Sequence, residues 1–129
     1  MLREGFALRS LKEGCGRGEC GTCTVLLDGK PVTACMVASG QVEGRSVMTL
    51  EGLEGNESFR RIQRAFMETG AVQCGFCTPG FLIAAYALLR DNPSPGREDI
   101  RRAVSGNLCR CTGYTKIIDA VERAGEILR

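Results

Sequence analysis

Apolar residues are distributed differently in the two halves of the chain. In the first half they fall in short runs bounded by turn residues, and in the second half they recur at helical spacing. Thr24 to Leu27 reads as a short strand, Asp28-Gly29 as a hairpin turn, and Pro31 to Val37 as the return strand. Ser46 to Leu50 reads as a further strand. Phe59, Ile62 and Phe66 recur at spacings of three and four. They predict a helix from about Ser58 to Thr69, with Asn56 or Ser58 as N-cap and Gly70 as its stop. Thr78 as N-cap and Pro79 at the first helical position predict a second helix, reaching Arg90 or Asp91 and ended by Asn92-Pro93. It is apolar nearly all round and should be the most buried helix. A third helix is predicted from about Arg97 to Ser105, with Glu98 and Asp99 placed to suit the dipole of its first turn. A fourth is predicted from about Thr115 to the C-terminus, its stripe made by Ile117, Val121, Ala124 and Leu128. Short strands followed by helices predict an α+β chain, with a boundary near Gly52 to Gly55 and domains at 1–53 and 54–129.

The longest uncharged run lies between Glu68 and Arg90, which raises a membrane question. Gln73, two cysteines, Thr78, Pro79 and three glycines interrupt it, so no membrane insertion is expected. The N-terminal stretch carries Arg3, Glu4, Arg9, Lys12 and Glu13 without an apolar core, unlike a signal peptide. A cytoplasmic location is therefore expected, or a periplasmic one if an export signal precedes this start. The net charge of +2 makes no electrostatic case for nucleic acid. The chain has no histidine, which removes Ser-His-Asp and Cys-His catalysis, histidine zinc sites and Rieske clusters.

Eight cysteines form two groups of four. Cys15, Cys20 and Cys23 give C-x4-C-x2-C, and eleven residues separate Cys23 from Cys35. This is the plant-type ferredoxin spacing for a [2Fe-2S] cluster. Gly14, Gly16, Gly18 and Gly21 would let the backbone approach such a cluster and aim N–H groups at its sulfurs. A structural zinc site or disulfides are the alternatives, but zinc usually brings paired C-x2-C units and disulfides do not suit a reducing compartment. The second group is Cys74 with Cys77 and Cys109 with Cys111, each pair just ahead of a predicted helix. Two helix starts facing one another would gather four thiolates and aim positive dipole ends at a negative cluster. Spacing alone leaves zinc and a redox C-x2-C motif open here.

The loop from Lys12 to Cys23, the segment Gln73 to Gly80 and the segment Asn107 to Tyr114 together resemble the iron–sulfur subunit of the molybdenum hydroxylases, the xanthine oxidase family. The resemblance spans about Lys12 to Ala124, and all eight ligand positions are cysteine. It implies a β-grasp ferredoxin-like domain holding one [2Fe-2S] cluster through Cys15, Cys20, Cys23 and Cys35. It implies a C-terminal four-helix bundle holding a second through Cys74, Cys77, Cys109 and Cys111. Gln73 matches the position that hydrogen-bonds the pterin of a large molybdopterin-binding subunit, and Cys111 matches the ligand nearest that pterin. A medium FAD-binding subunit is the implied acceptor. The function implied is electron relay from the molybdopterin centre through both clusters to FAD or another acceptor, with no catalytic residue on this chain. The alternative is a free-standing two-cluster ferredoxin-like carrier.

The chain departs from the family pattern before Cys15. A β-hairpin and most of a helix expected there are missing, and Leu2-Arg3-Glu4 resembles only the end of that helix. A sheet without the hairpin should have an unpaired edge and part of its core uncovered. Among the remaining residues, Tyr86 and Tyr114 read as packing groups, and Met36 and Met48 as strand core. Arg60, Arg61 and Arg64 read as a solvated helix face. Arg110, between two cysteines, is a candidate for tuning a cluster or bridging to a neighbouring chain.

Overall fold

The computed structural model describes residues 1–128. A helical turn, α1 (Leu2–Gly5), precedes the first cysteine loop. Strands β1 (Thr24–Leu27), β2 (Lys30–Thr33) and β3 (Val47–Met48) form one antiparallel sheet in the order β2-β1-β3. Four longer helices follow: α2 (Glu57–Glu68), α3 (Thr78–Asp91), α4 (Arg97–Val104) and α5 (Thr115–Leu128).

The hairpin forms where the turn residues require it. Asp28 has φ +48° and Gly29 φ +80°, the positive values a two-residue hairpin loop needs, so Leu27 pairs Lys30 and Thr24 pairs Thr33. The return strand is shorter than expected. It ends at Thr33, and a 3-10 turn at Ala34–Met36 swings Cys35 towards the cysteine loop. The third strand likewise shrinks from Ser46–Leu50 to Val47–Met48. Met36 is not strand core but 62% exposed, covering Gly18.

Strand alternation sorts β1 between two environments. Leu26 belongs to the core made with the helices, on which β1 packs through α3. Val25 and Leu27 face the other way, into an apolar cavity of about 250 Å³ that Leu2, Val32, Val37 and Val47 also line. The helical core centres on fully buried Phe59, Ile62, Phe66, Phe81, Ile83, Ile100, Ile117 and Val121. Helix α2 packs on α5, and α3 on α4. As its composition requires, α3 has the most buried residues of any helix.

Helix starts follow their capping chemistry. Asn56 caps α2 by accepting from the Phe59 N–H at 2.9 Å. Thr78 does not cap α3. It is already the first helical residue, with Cys77 as the uncapped N-cap and Pro79 in the first turn. Tyr86 packs edge-on against Phe59 at 5.8 Å, and Arg61 and Arg64 pair with Glu57 and Glu68 along the exposed face of α2. No helix among the described residues is long and apolar enough to cross a membrane.

Candidate metal centres

The loop between α1 and β1 carries Cys15, Cys20 and Cys23, the 3-10 turn after β2 carries Cys35, and all four line the apolar cavity. Its backbone converges on sulfur. The N–H groups of Arg17, Glu19 and Cys20 point at the Cys15 Sγ from 3.4, 3.3 and 3.4 Å. The Gly18 N–H donates to the Cys35 Sγ at 3.2 Å. Gly18 has φ +81°, and a Cβ there would also strike Met36, so only glycine suits both the turn and the close approach. The donors from Arg17, Cys20 and Glu19 hold the Cys15 thiol down at about 6, so it is a thiolate at neutral pH. Burial pushes Cys23 up, since its sulfur lies deeper.

The second group lies where α3 and α5 begin. Cys74 and Cys77 precede α3; Cys109 and Cys111 precede α5. All four line a second cavity, of about 460 Å³, together with Cys20 of the first group. The Cys111 and Cys74 sulfurs are 3.6 Å apart. Burial opposes ionisation of Cys109, but the Thr112 hydroxyl at 3.1 Å and its N–H at 3.4 Å outweigh it and pull the thiol down. Burial, then the hydrogen bond with Cys109, pushes Cys77 up to about 12. The bond to Cys74 raises Cys111.

The thiols of each group act on one another: Cys20 on Cys15 and Cys23, Cys35 on Cys23, Cys109 and Cys74 on Cys77, and Cys74 and Cys109 on Cys111. Among the described residues no three ligating side chains converge tightly enough for a single ion. A tetrathiolate zinc needs all four sulfurs about 2.3 Å from one ion, hence about 3.8 Å from each other. A [2Fe-2S] cluster needs two sulfurs on each of two irons, so its four thiols sit farther apart than those around a single ion. The N–H donors aimed at sulfur fit the same group, whose thiolates and sulfides carry negative charge.

The remaining candidates fall in three positions. Gln73 is exposed beside Cys74, and Arg110 is exposed between Cys109 and Cys111. Tyr114 has a role beyond packing. Its ring lies 6.4 Å from Phe81, and its hydroxyl accepts from the Cys109 N–H at 3.1 Å. Its φ of +70° turns the chain from the cysteine loop into α5. Asn107 carries no periodic or spacing signal of its own in the sequence. It is 5% exposed and spans the two cysteine groups. Its neighbour Leu108 donates its N–H to the Cys20 carbonyl at 2.9 Å.

Residues 49–122 match the [2Fe-2S] binding domain family. The chain is 53% identical over 126 residues to the nicotinate dehydrogenase small FeS subunit of Eubacterium barkeri, covering 98% of this chain and 80% of that protein. It is 47% identical over 124 residues to the xanthine dehydrogenase iron-sulfur-binding subunit of Escherichia coli O157:H7, covering 94% and 77%. Among solved structures it matches the aldehyde oxidoreductase from Desulfovibrio desulfuricans ATCC 27774 with a TM-score of 0.92 and 49% identity. That match covers 99% of this chain and 14% of that one.

Proposed function

The chain belongs to the [2Fe-2S] binding family of small iron–sulfur dehydrogenase subunits, and from that premise we propose that it is the electron-transfer subunit of a molybdenum hydroxylase complex. Cys15, Cys20, Cys23 and Cys35 would hold one [2Fe-2S] cluster and Cys74, Cys77, Cys109 and Cys111 another. The carrying observation is that each group of four cysteines lines one cavity, with backbone and hydroxyl donors aimed at its sulfurs. When bound, each cluster takes up and releases one electron at a time.

The chain's own residues hold these groups and set their surroundings. The Cys15, Cys35 and Cys109 sulfurs receive backbone N–H groups, which favour the more negative, reduced state of whatever they ligate. Cys74 and Cys111 are exposed, so the second group meets the outside of this chain. Exposed Phe76 and Leu108 flank that opening, an apolar rim suited to a protein partner. We place the large molybdopterin-binding subunit there, with Gln73 reaching the pterin and Cys111 as the nearest ligand. In the aldehyde oxidoreductase the counterpart of this chain is a segment of one much longer chain, which supports contact with a large unit. Cys35 is exposed on the other group, and there we place the outgoing acceptor, FAD on a medium subunit.

Tagged chain purified from its source with its iron tests the reading. It should bring down a larger protein containing molybdenum, and dithionite titration should take up about two electrons per small chain beyond those taken by other centres. A chain that carries its iron but purifies alone would point to the free-standing carrier instead.

A further inference from the structure

We infer that Asn107 is a positioning residue that fixes the two cysteine groups relative to one another. The inference rests on the reading that each group holds an iron–sulfur cluster. The Asn107 Nδ2 donates to the Gly21 carbonyl at 2.9 Å and to the Thr24 Oγ1 at 3.3 Å. Thr24, half-buried, itself donates to the same carbonyl at 2.7 Å, so the three groups form a closed set around buried Gly21 and Asn107. Gly21 lies between Cys20 and Cys23 of the first group, while Asn107 lies two residues before Cys109 of the second.

Three backbone segments meet at this amide without room for a side chain. A Cβ at Gly21 would strike the Gly106 carbonyl and come 2.5 Å from the Asn107 Nδ2. A Cβ at Gly80, in the first turn of α3, would strike the Gly21 carbonyl and come 2.8 Å from the same nitrogen. Cys77 is three residues before Gly80, so the amide ties together segments that bear Cys20, Cys23, Cys77 and Cys109. The contact also brings the Leu108 N–H onto the Cys20 carbonyl at 2.9 Å. A path of one peptide and one hydrogen bond therefore links Cys20 to Cys109. An asparagine is suited to this place because a buried carbonyl needs a donor and the amide delivers one without a charge. A role confined to stability would lower the melting point and leave the relation between the sites unchanged.

The test uses the full chain with its iron, as wild type, Asn107→Asp and Thr24→Val. Asn107→Asp keeps the shape but sets an acceptor against the Gly21 carbonyl. Thr24→Val removes the longer Asn107 contact and the hydroxyl's own 2.7 Å donation to the Gly21 carbonyl, leaves the 2.9 Å amide contact in place, and covers the case in which the first variant fails to fold. Two readouts apply: exchange of the Leu108 amide, which does not depend on iron, and the magnetic interaction between the two reduced sites in EPR. In Asn107→Asp the Leu108 amide should exchange at least about tenfold faster. The splitting between the sites should change while each site keeps its own g values. Thr24→Val should move both readouts the same way, by about two- to threefold in exchange. Two wild-type signals whose splitting and Leu108 exchange stay unmoved in both variants would overturn the positioning role alone. A wild type with one reduced signal would overturn the two-cluster reading, and the inference with it.

Discussion

Replacing Thr112 with valine removes a hydroxyl and nothing else of its volume. That hydroxyl donates to the buried Cys109 Sγ at 3.1 Å and accepts from the Tyr114 N–H at 3.3 Å. If Cys109 ligates an iron–sulfur cluster, reduction adds negative charge that this donor stabilises, so its loss must lower the potential. A hydrogen bond to a charged group is worth about 1.5–3 kcal/mol. Sulfur is a weak acceptor, and only the difference between the two redox states counts, which leaves about 1 kcal/mol. At about 59 mV per tenfold change for one electron, that is a fall of about 40 mV. Redox titration followed by EPR should show this shift in one signal only, the one assigned to the helical half. Thr112→Ser, which keeps the hydroxyl, should titrate like wild type. A Thr112→Val potential within about 10 mV of wild type, with Thr112→Ser also unmoved, would refute the claim that this hydroxyl tunes the site.

Other parts of the molecule give equally definite expectations. Asn56→Ala removes the cap on α2; it should cost about 1 kcal/mol and lower the melting temperature by about 3–6 °C in a thermal scan. Burial opposes ionisation of Glu51, yet the Ser10 hydroxyl and N–H and the Thr49 hydroxyl overcome it and hold the carboxyl at about 2. Its contribution is therefore complete above its ordinary value of 4.5 and lost as pH falls towards 2. Glu51→Gln should destabilise the chain by about 1–2 kcal/mol at pH 7 after allowance for solvent screening. Denaturant curves should show that difference shrinking between pH 4.5 and 2. Arg97 bridges Asp119 and Glu122 at 2.6 Å each, joining α4 to α5 on a solvated face; Arg97→Ala should cost no more than about 1 kcal/mol, and less at high salt.

The helical half was the more legible part of the chain. Phe59, Ile62 and Phe66 announce α2 because burial on one side of a helix repeats with its pitch, and all three are buried. Gly70, with φ +68°, stops it as expected. The strands were less legible, since β2 ends at Thr33 for a reason outside local propensity: Cys35 has to turn towards the loop that carries Cys15. Met36 is exposed on the same account, because an alternating pattern does not reveal that the strand has already stopped. Tyr114 and Asn107 were hidden differently. One acts through a left-handed backbone turn, the other through a contact with Gly21, 86 positions away, and neither leaves a periodic trace. Cysteine spacing, by contrast, shows directly in the sequence because ligand geometry constrains chain length between ligands.

The central claim is that the eight cysteines hold two iron–sulfur clusters. Iron, zinc and acid-labile sulfide per chain, with EPR of the dithionite-reduced protein on the same sample, test it most directly. The account predicts about four irons and four sulfides per chain, no zinc, and two rhombic signals. Zinc without iron, or about two irons with a single signal, would contradict it.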